Sequence, residues 1–308
     1  MVQMHHHRLR VLKHPDHFDY DRCPRVAYEK ILAEAKRVEG ALVRCGICPT
    51  LNSRVTKYRK VVEEFINKAA AGEMPVCFDW ILFHQALCEI SQFATIVEAL
   101  LRPPFSDEWS LRLARLVSGQ VLPQNEPDQT TARDLQFELN VAVHCRAAGY
   151  IVEPKEPDVL VRGSEGVFGI AAKRPKSAKT LERHIRKASK QIQSSGVDGL
   201  VAIDLSLIHN PGNRILLTQK PEEGIAAVRR AVDGFAKMNI KRIRSLVKTP
   251  NVFGLVAYMS SLCFDPNTIG FATATRWTIV NLCEMTDERY ERLRKFSTRF
   301  AIGVGQTN

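Results

Sequence analysis

The 308-residue chain has no GxxxxGK[ST] phosphate loop and no GxSxG elbow, so neither an NTPase nor a hydrolase built on that serine turn is implied. It has no apolar run near the roughly 18 residues that a membrane span needs. The longest candidate, 252–263, is interrupted by Ser260 and Ser261. Residues 1–10 hold histidines and arginines but no apolar stretch, so a secretory signal is not expected. Eight cysteines in this length do not resemble a disulfide scaffold; reduced thiols and a cytoplasmic setting are the expectation. Cys45-Gly46-Ile47-Cys48 has the spacing of half a zinc knuckle but no second pair follows, and Cys23, Cys77, His84 and Cys88 could complete it only through tertiary contact. His5-His6-His7, with His14 and His17 nearby, reads as a terminal stretch rather than a site. Neither internal repeats nor low-complexity tracts occur.

What the chain does have is positive charge, +11 in all. Residues 173–190 contribute +7 and residues 229–248 contribute +6, so the remainder is slightly acidic. Two basic segments on a nearly neutral protein suit a polyanion, because clustered Lys and Arg release condensed counterions from phosphates. Solvated helix faces are the plainer explanation of the same runs. Membrane-surface binding is not expected, since the opposite faces read as core stripes without an aromatic wedge.

The apolar spacing predicts helices over 26–38, 54–71, 78–101 and 106–120, the last with Ser106 as N-cap. Proline and polar residues in 122–130 mark the best boundary, giving an α-helical N-terminal domain (1–125) and an α/β domain (126–308). Beyond it the pattern predicts a helix over 131–148, strands over 150–153, 158–162 and 167–174, a helix over 177–193 and a buried strand over 199–208. A long helix (222–248), strands over 252–259 and 271–282, and a charged helix (287–300) complete the chain.

The 167–174 strand is the most informative. Alternation puts Phe168, Ile170 and Ala172 on a core face and Val167, Gly169, Ala171 and Lys173 on the other, where two small residues leave room for a ligand or backbone. The Gly163–Gly166 turn returns the chain so that Asp158, after Pro157, comes back towards Lys173. Glu138 borders the buried face of its helix, where its carboxylate can point across the sheet end. Asp204 interrupts an apolar strand and needs a polar partner there.

Pro157-Asp158, twelve intervening residues, then Ala171-Ala172-Lys173, followed by helix and strand, resemble the PD-(D/E)XK nuclease superfamily over about 131–208. The resemblance implies a restriction-endonuclease-like core (αβββαβ, a mixed sheet flanked by helices) and a Mg²⁺- or Mn²⁺-dependent DNA endonuclease with a possible restriction or defence role. It implies Asp158 and Glu138 as metal ligands, Lys173 as the residue acting on the attacking water, and Gln191 as a further site residue. Arg174, Lys176, Lys179, Arg183, Arg186, Lys187 and Lys190 would hold the phosphate backbone of DNA, with RNA an open alternative. A homodimer and a protein partner for the helical domain are compatible with it.

The sequence departs from that pattern at Ala171, where the family has Glu or Asp. Loss of a carboxylate lowers metal affinity and rate together. Two readings follow: a nuclease whose catalytic acid has been replaced, which the otherwise intact apparatus favours, or a natural pseudo-nuclease that binds nucleic acid without cutting.

Overall fold

Backbone pairing organises the molecule around one mixed sheet. The computed structural model describes residues 17–22, 25–26, 28–71, 78–101, 107–123, 132–265, 270–284 and 287–306. The histidines at 5–7 and 14, Cys23, Cys77 and the expected Ser106 cap lie outside them.

Four helices come early: α1 (Tyr28–Arg44), α2 (Arg54–Ala70), α3 (Trp80–Leu100) and α4 (Asp107–Leu116). Ser53 and Asp79 cap α2 and α3 by accepting from the backbone N–H of Thr56 and Leu82, as short polar side chains do at helix starts. The expectation of helices alone in this region needs correction. Strands β1 (His17–Arg22) and β2 (Arg25–Val26) precede them, and Val26, expected in the first helix, pairs with Phe271 instead.

The second half opens with α5 (Ala132–Ala147), β3 (Ile151–Glu153), β4 (Val159–Gly163), β5 (Gly166–Lys173), α6 (Ala178–Ser195) and β6 (Gly199–Asp204). There follow α7 (Ser206–His209), β7 (Leu216–Leu217), α8 (Pro221–Leu246), β8 (Val252–Asp265), β9 (Gly270–Asn281) and α9 (Glu288–Gln306). The expected 199–208 strand stops at Asp204, because its carboxylate accepts from the Ser206 N–H and turns the chain into α7. The order across the sheet is β1-β9-β8-β6-β5-β4-β3. β3, β4 and β5 form an antiparallel meander, while β5, β6 and β8 run parallel.

Both faces of the sheet are covered. Phe168, Ile170 and Ala172 of β5 join one apolar cluster with α1, α3, α5 and α9. Ala171 joins a second, in which Leu181, Ile185, Ala188 and Ile192 of α6 and Val228, Val232 and Phe235 of α8 cover the opposite face. The alternation expected of β5 therefore holds, and each fully buried large aliphatic contributes roughly 1.5–3 kcal/mol. Among the described residues no helix is long and apolar enough to cross a membrane.

The space expected beside Gly169 is filled by the Pro157 ring. A Cβ at Gly169 would lie 2.4 Å from Pro157 Cδ and 2.5 Å from Cγ. Gly169→Ala must therefore push the Pro157–Asp158 segment off β5, at a cost of about 1–3 kcal/mol. An urea midpoint equal to that of the parent would show that this packing is loose.

Candidate active site at the end of β5

The Asp158 carboxylate is the hub. One oxygen, Oδ2, accepts from the Lys173 Nζ at 2.7 Å and from the Ala172 N–H at 2.8 Å. The other, Oδ1, accepts from Gln191 Nε2 at 2.6 Å. That amide nitrogen also meets the Pro157 carbonyl oxygen and, at 3.0 Å, Glu156 Oε2. Its partner atom, Gln191 Oε1, is buried with no hydrogen-bond donor.

These contacts follow from local structure. Val159 pairs with Ile170 and Leu160 with Gly169, so the same register carried back one step sets Asp158 opposite Ala171. Residues opposite one another share a face, with Cβ atoms about 4.5–5.5 Å apart. Lys173, two residues on, shares it too. Gln191 lies in the last turns of α6, whose apolar stripe packs that helix on the face of β5 and β6. Of the sequence candidates Gln191 carries the least local signal, yet it touches Asp158 directly.

Glu138 stands beside this group on α5, 18% exposed. Burial and the neighbouring Asp158 charge push its carboxyl up to about 8, with Lys173 and Arg112 only partly opposing them. Asp158 is also raised, by burial first, against the lowering charge of Lys173 and the Ala172 N–H bond. Burial is thus the first cause for both carboxyls, and the cations beside them offset it only in part.

Arg112 is a site residue that the sequence reading missed. Its Nη1 lies 3.5 Å from Glu138 Oε2 and donates to the Asp158 carbonyl oxygen at 3.2 Å, and its Nη2 donates to the Pro154 carbonyl oxygen at 3.1 Å. It comes from α4, far from the motif in sequence, and no local pattern distinguishes it from other helical arginines. His184 of α6 is half-buried, its Nδ1 without a partner; burial, then the charges of Arg183, Lys173 and Lys187, lower its pKa.

The basic residues separate into two groups. Lys179, Arg183, Arg186, Lys187 and Lys190 are exposed along the outer face of α6, and Lys176 is half-buried just before it. Arg174 is different: 11% exposed, its Nε donates to Asp204 Oδ2 at 3.1 Å, which supplies the partner Asp204 required. Ala171 is fully buried. Cys45 and Cys48 are free thiols. Among the described residues no group of three or more His, Cys, Asp or Glu is placed to hold a metal ion.

Glu138→Gln tests the electrostatics. A carboxyl whose folded pKa is raised from 4.5 to about 8 costs stability as pH climbs through that window, because the unfolded chain releases its proton first. The amide removes the cost. In EDTA, the melting temperature of Glu138→Gln should exceed that of the parent by several degrees at pH 8 and match it at pH 4.5. A variant less stable than the parent at pH 8 would refute the assignment.

Comparison with protein-family models, with curated proteins and with solved structures finds no match to this chain, so the arrangement of Asp158, Lys173, Gln191 and Glu138 is interpreted on its own geometry.

Proposed function

We propose that the chain is a metal-dependent DNA endonuclease of restriction-endonuclease-like fold, weakened by alanine at position 171. The observation that carries this reading is the Asp158 carboxylate fixed by Lys173, the Ala172 N–H and Gln191, with Glu138 alongside. The element order α5-β3-β4-β5-α6-β6, with an antiparallel meander and a parallel fourth strand, supports it.

The donor set fits Mg²⁺ or Mn²⁺. Mg²⁺ is commonly held by one or two carboxylates, with water and phosphate oxygens completing its shell. Asp158 and Glu138 would hold the ion, and the partnerless Gln191 Oε1 is a third hard oxygen at the same place. A bound ion would lower the pKa of water and offset charge building on the phosphate. Lys173 keeps Asp158 in place and presents an ammonium to the attacking water or the phosphate. Arg112 draws α4, α5 and the Pro154–Asp158 segment together, fixing the separation of the two carboxylates. The exposed cations of α6 lie on the helix that follows β5, positioned to hold the strand on either side of the cleaved bond.

A non-catalytic nucleic-acid-binding protein is the second reading. It is favoured by the complete burial of Ala171 among apolar side chains, a setting that does not ask for a carboxylate.

DNA affinity against salt tests the partner that both readings share. Each neutralised phosphate contributes about −0.9 to the slope of log K against log[salt]. Replacing Arg183, Arg186, Lys187 and Lys190 with alanine should flatten that slope by up to about 3.6 and weaken binding at least tenfold. A flat slope for the parent would remove nucleic acid as the partner. Any Mg²⁺-dependent nicking by the parent should vanish in Lys173→Ala, and nicking that survives would place the chemistry elsewhere.

A further inference from the structure

The two basic segments of the sequence, 173–190 and 229–248, meet on one face of the sheet. α6 joins β5 to β6 and α8 leads into β8, and these three strands are parallel, so crossovers of one hand put both helices on the same side. Glu182 and Gln191 lie nine residues apart on α6, about two and a half turns, and therefore point to opposite flanks. Gln191 reaches Asp158 from one flank. Glu182 meets Arg242 of α8 from the other. The second helix thus lies beside α6, on the side away from the carboxylate site.

Along α8, Val228, Val232, Phe235, Ile243 and Leu246 face the sheet. On the opposite side Arg230, Lys237, Lys241, Arg244 and, just past the helix end, Lys248 recur at helical spacing, and all five are exposed. The exposed cations of α6 form a second row beside them. Packed helices stand about 8–10 Å apart, and that sets the separation of the two rows. Few acids oppose them. Asp233 is buried on Arg276, and Glu182 is taken by Arg242. Glu222 and Glu223 sit in the first turn of α8, several turns from Lys241. Lys237, Lys241 and Lys248 meet no acid among the described residues. Like charges gathered on one face repel one another, and a polyanion relieves that repulsion.

The face also lacks what a single strand would use. α6 has no Phe, Tyr or Trp, and Phe235 of α8 is 2% exposed. Proteins that hold single strands stack unpaired bases on such rings, whereas cations alone contact phosphates and carry no sequence information. The grooves of B-form DNA are about 6 and 12 Å wide, which brackets the separation of the two helices.

We infer that α6 and α8 together form a sequence-independent docking face for duplex DNA, with one row of cations on the phosphates of each strand. The inference rests on the DNA-binding reading and adds to it the duplex form and the second helix.

The full chain and a Lys237→Ala, Lys241→Ala, Lys248→Ala triple variant are titrated in EDTA, over a range of salt, with a blunt DNA duplex and with one of its strands alone. The variant should lose at least tenfold in affinity for the duplex and flatten its salt slope by up to about 2.7. It should bind the single strand within twofold of the parent. The three lysines are exposed and unpaired, so the melting temperature should be unchanged. Lys241→Ala alone, expected to flatten the slope by up to about 0.9, serves if the triple variant is unstable. Arginine at the same three positions keeps the charge and should restore duplex binding. A duplex affinity and slope equal to the parent's would overturn the inference, as would equal losses for duplex and single strand. If the α6 substitutions still flatten the slope in that case, the DNA-binding proposal stands without α8. A flat slope for the parent defeats that proposal itself.

Discussion

Ala171→Glu is expected to raise the rate of Mg²⁺-dependent plasmid nicking by roughly 10²–10⁴-fold over the parent chain. The position lies opposite Asp158 and shares a face with Lys173, so a glutamate there brings a third carboxylate to the group. Better charge stabilisation at the reacting phosphate is worth several kcal/mol, and each 1.4 kcal/mol is about tenfold in rate. The same substitution should be harmful without metal. Ala171 is fully buried, and Asp158 and Glu138 already resist ionisation, so a third charge finds no compensation in EDTA. The melting temperature of Ala171→Glu should therefore fall below that of the parent in EDTA and recover on adding Mg²⁺ or Mn²⁺, because a ligand that binds only the folded state stabilises it. Both Ala171→Glu and its Lys173→Ala double variant would be assayed on supercoiled DNA. If Ala171→Glu leaves the plasmid intact although Mg²⁺ restores its stability, the catalytic reading is lost and the binding reading stands.

Glu89→Ala should unfold the protein near physiological temperature. Glu89 is buried at the centre of α3. Its Oε2 accepts from Arg54 Nη1 at 2.7 Å and from the Tyr58 hydroxyl at 3.0 Å, and its Oε1 accepts from Arg133 Nε at 2.7 Å. Arg54 is wholly buried and Arg133 is 2% exposed. Burial pushes the Glu89 carboxyl up, but the charges of Arg133 and Arg54 outweigh it and the net shift is downward. That stability is present above the ordinary glutamate range and is lost as pH falls through the lowered value. Removing the acid strands two buried guanidinium groups, and breaking one buried pair already costs about 3–5 kcal/mol. Against the 5–15 kcal/mol typical of a folded domain, this is a large fraction of the total. Urea unfolding followed by circular dichroism would measure it. A loss below about 1 kcal/mol would mean that water or rearrangement replaces the carboxylate. Replacing Arg54, Glu89 and Arg133 together with apolar residues of similar volume should recover much of the loss, because no charge is then left unmatched.

How much of this was legible in the sequence depended on distance along the chain. The amphipathic stripe of α6 and the two faces of β5 are written in residues two to four apart, and both faces are buried as the alternation requires. Pro157-Asp158 and Lys173 flank a single hairpin, so turn and strand signals were enough to bring them together. Gln191 was legible only as one polar residue on a helix, because its contact with Asp158 depends on how α6 packs on the face of the sheet. Arg112 gave no signal at all. It reaches Glu138 and the Pro154–Asp158 segment through tertiary packing between α4 and α5. The early strands escaped for a related reason. A six-residue strand followed by a two-residue one has too little periodicity to be seen without its partner, and that partner is β9. Asp204 was flagged as an acid in need of company, but not that its company would be Arg174, which is thereby held in an ion pair and apart from the exposed cations of α6.

The pairing of β1 with β9 also sets a timetable for synthesis. Arg22 is matched to Thr275, roughly 250 residues later. At about 5–20 residues per second, β1 leaves the ribosome some 12–50 s before its partner has been made. The meander of β3 to β5 and its crossover to β6 can form in that interval, because their partners are close in sequence. The margin of the sheet beyond β9 must come last, supplied by the segment translated first.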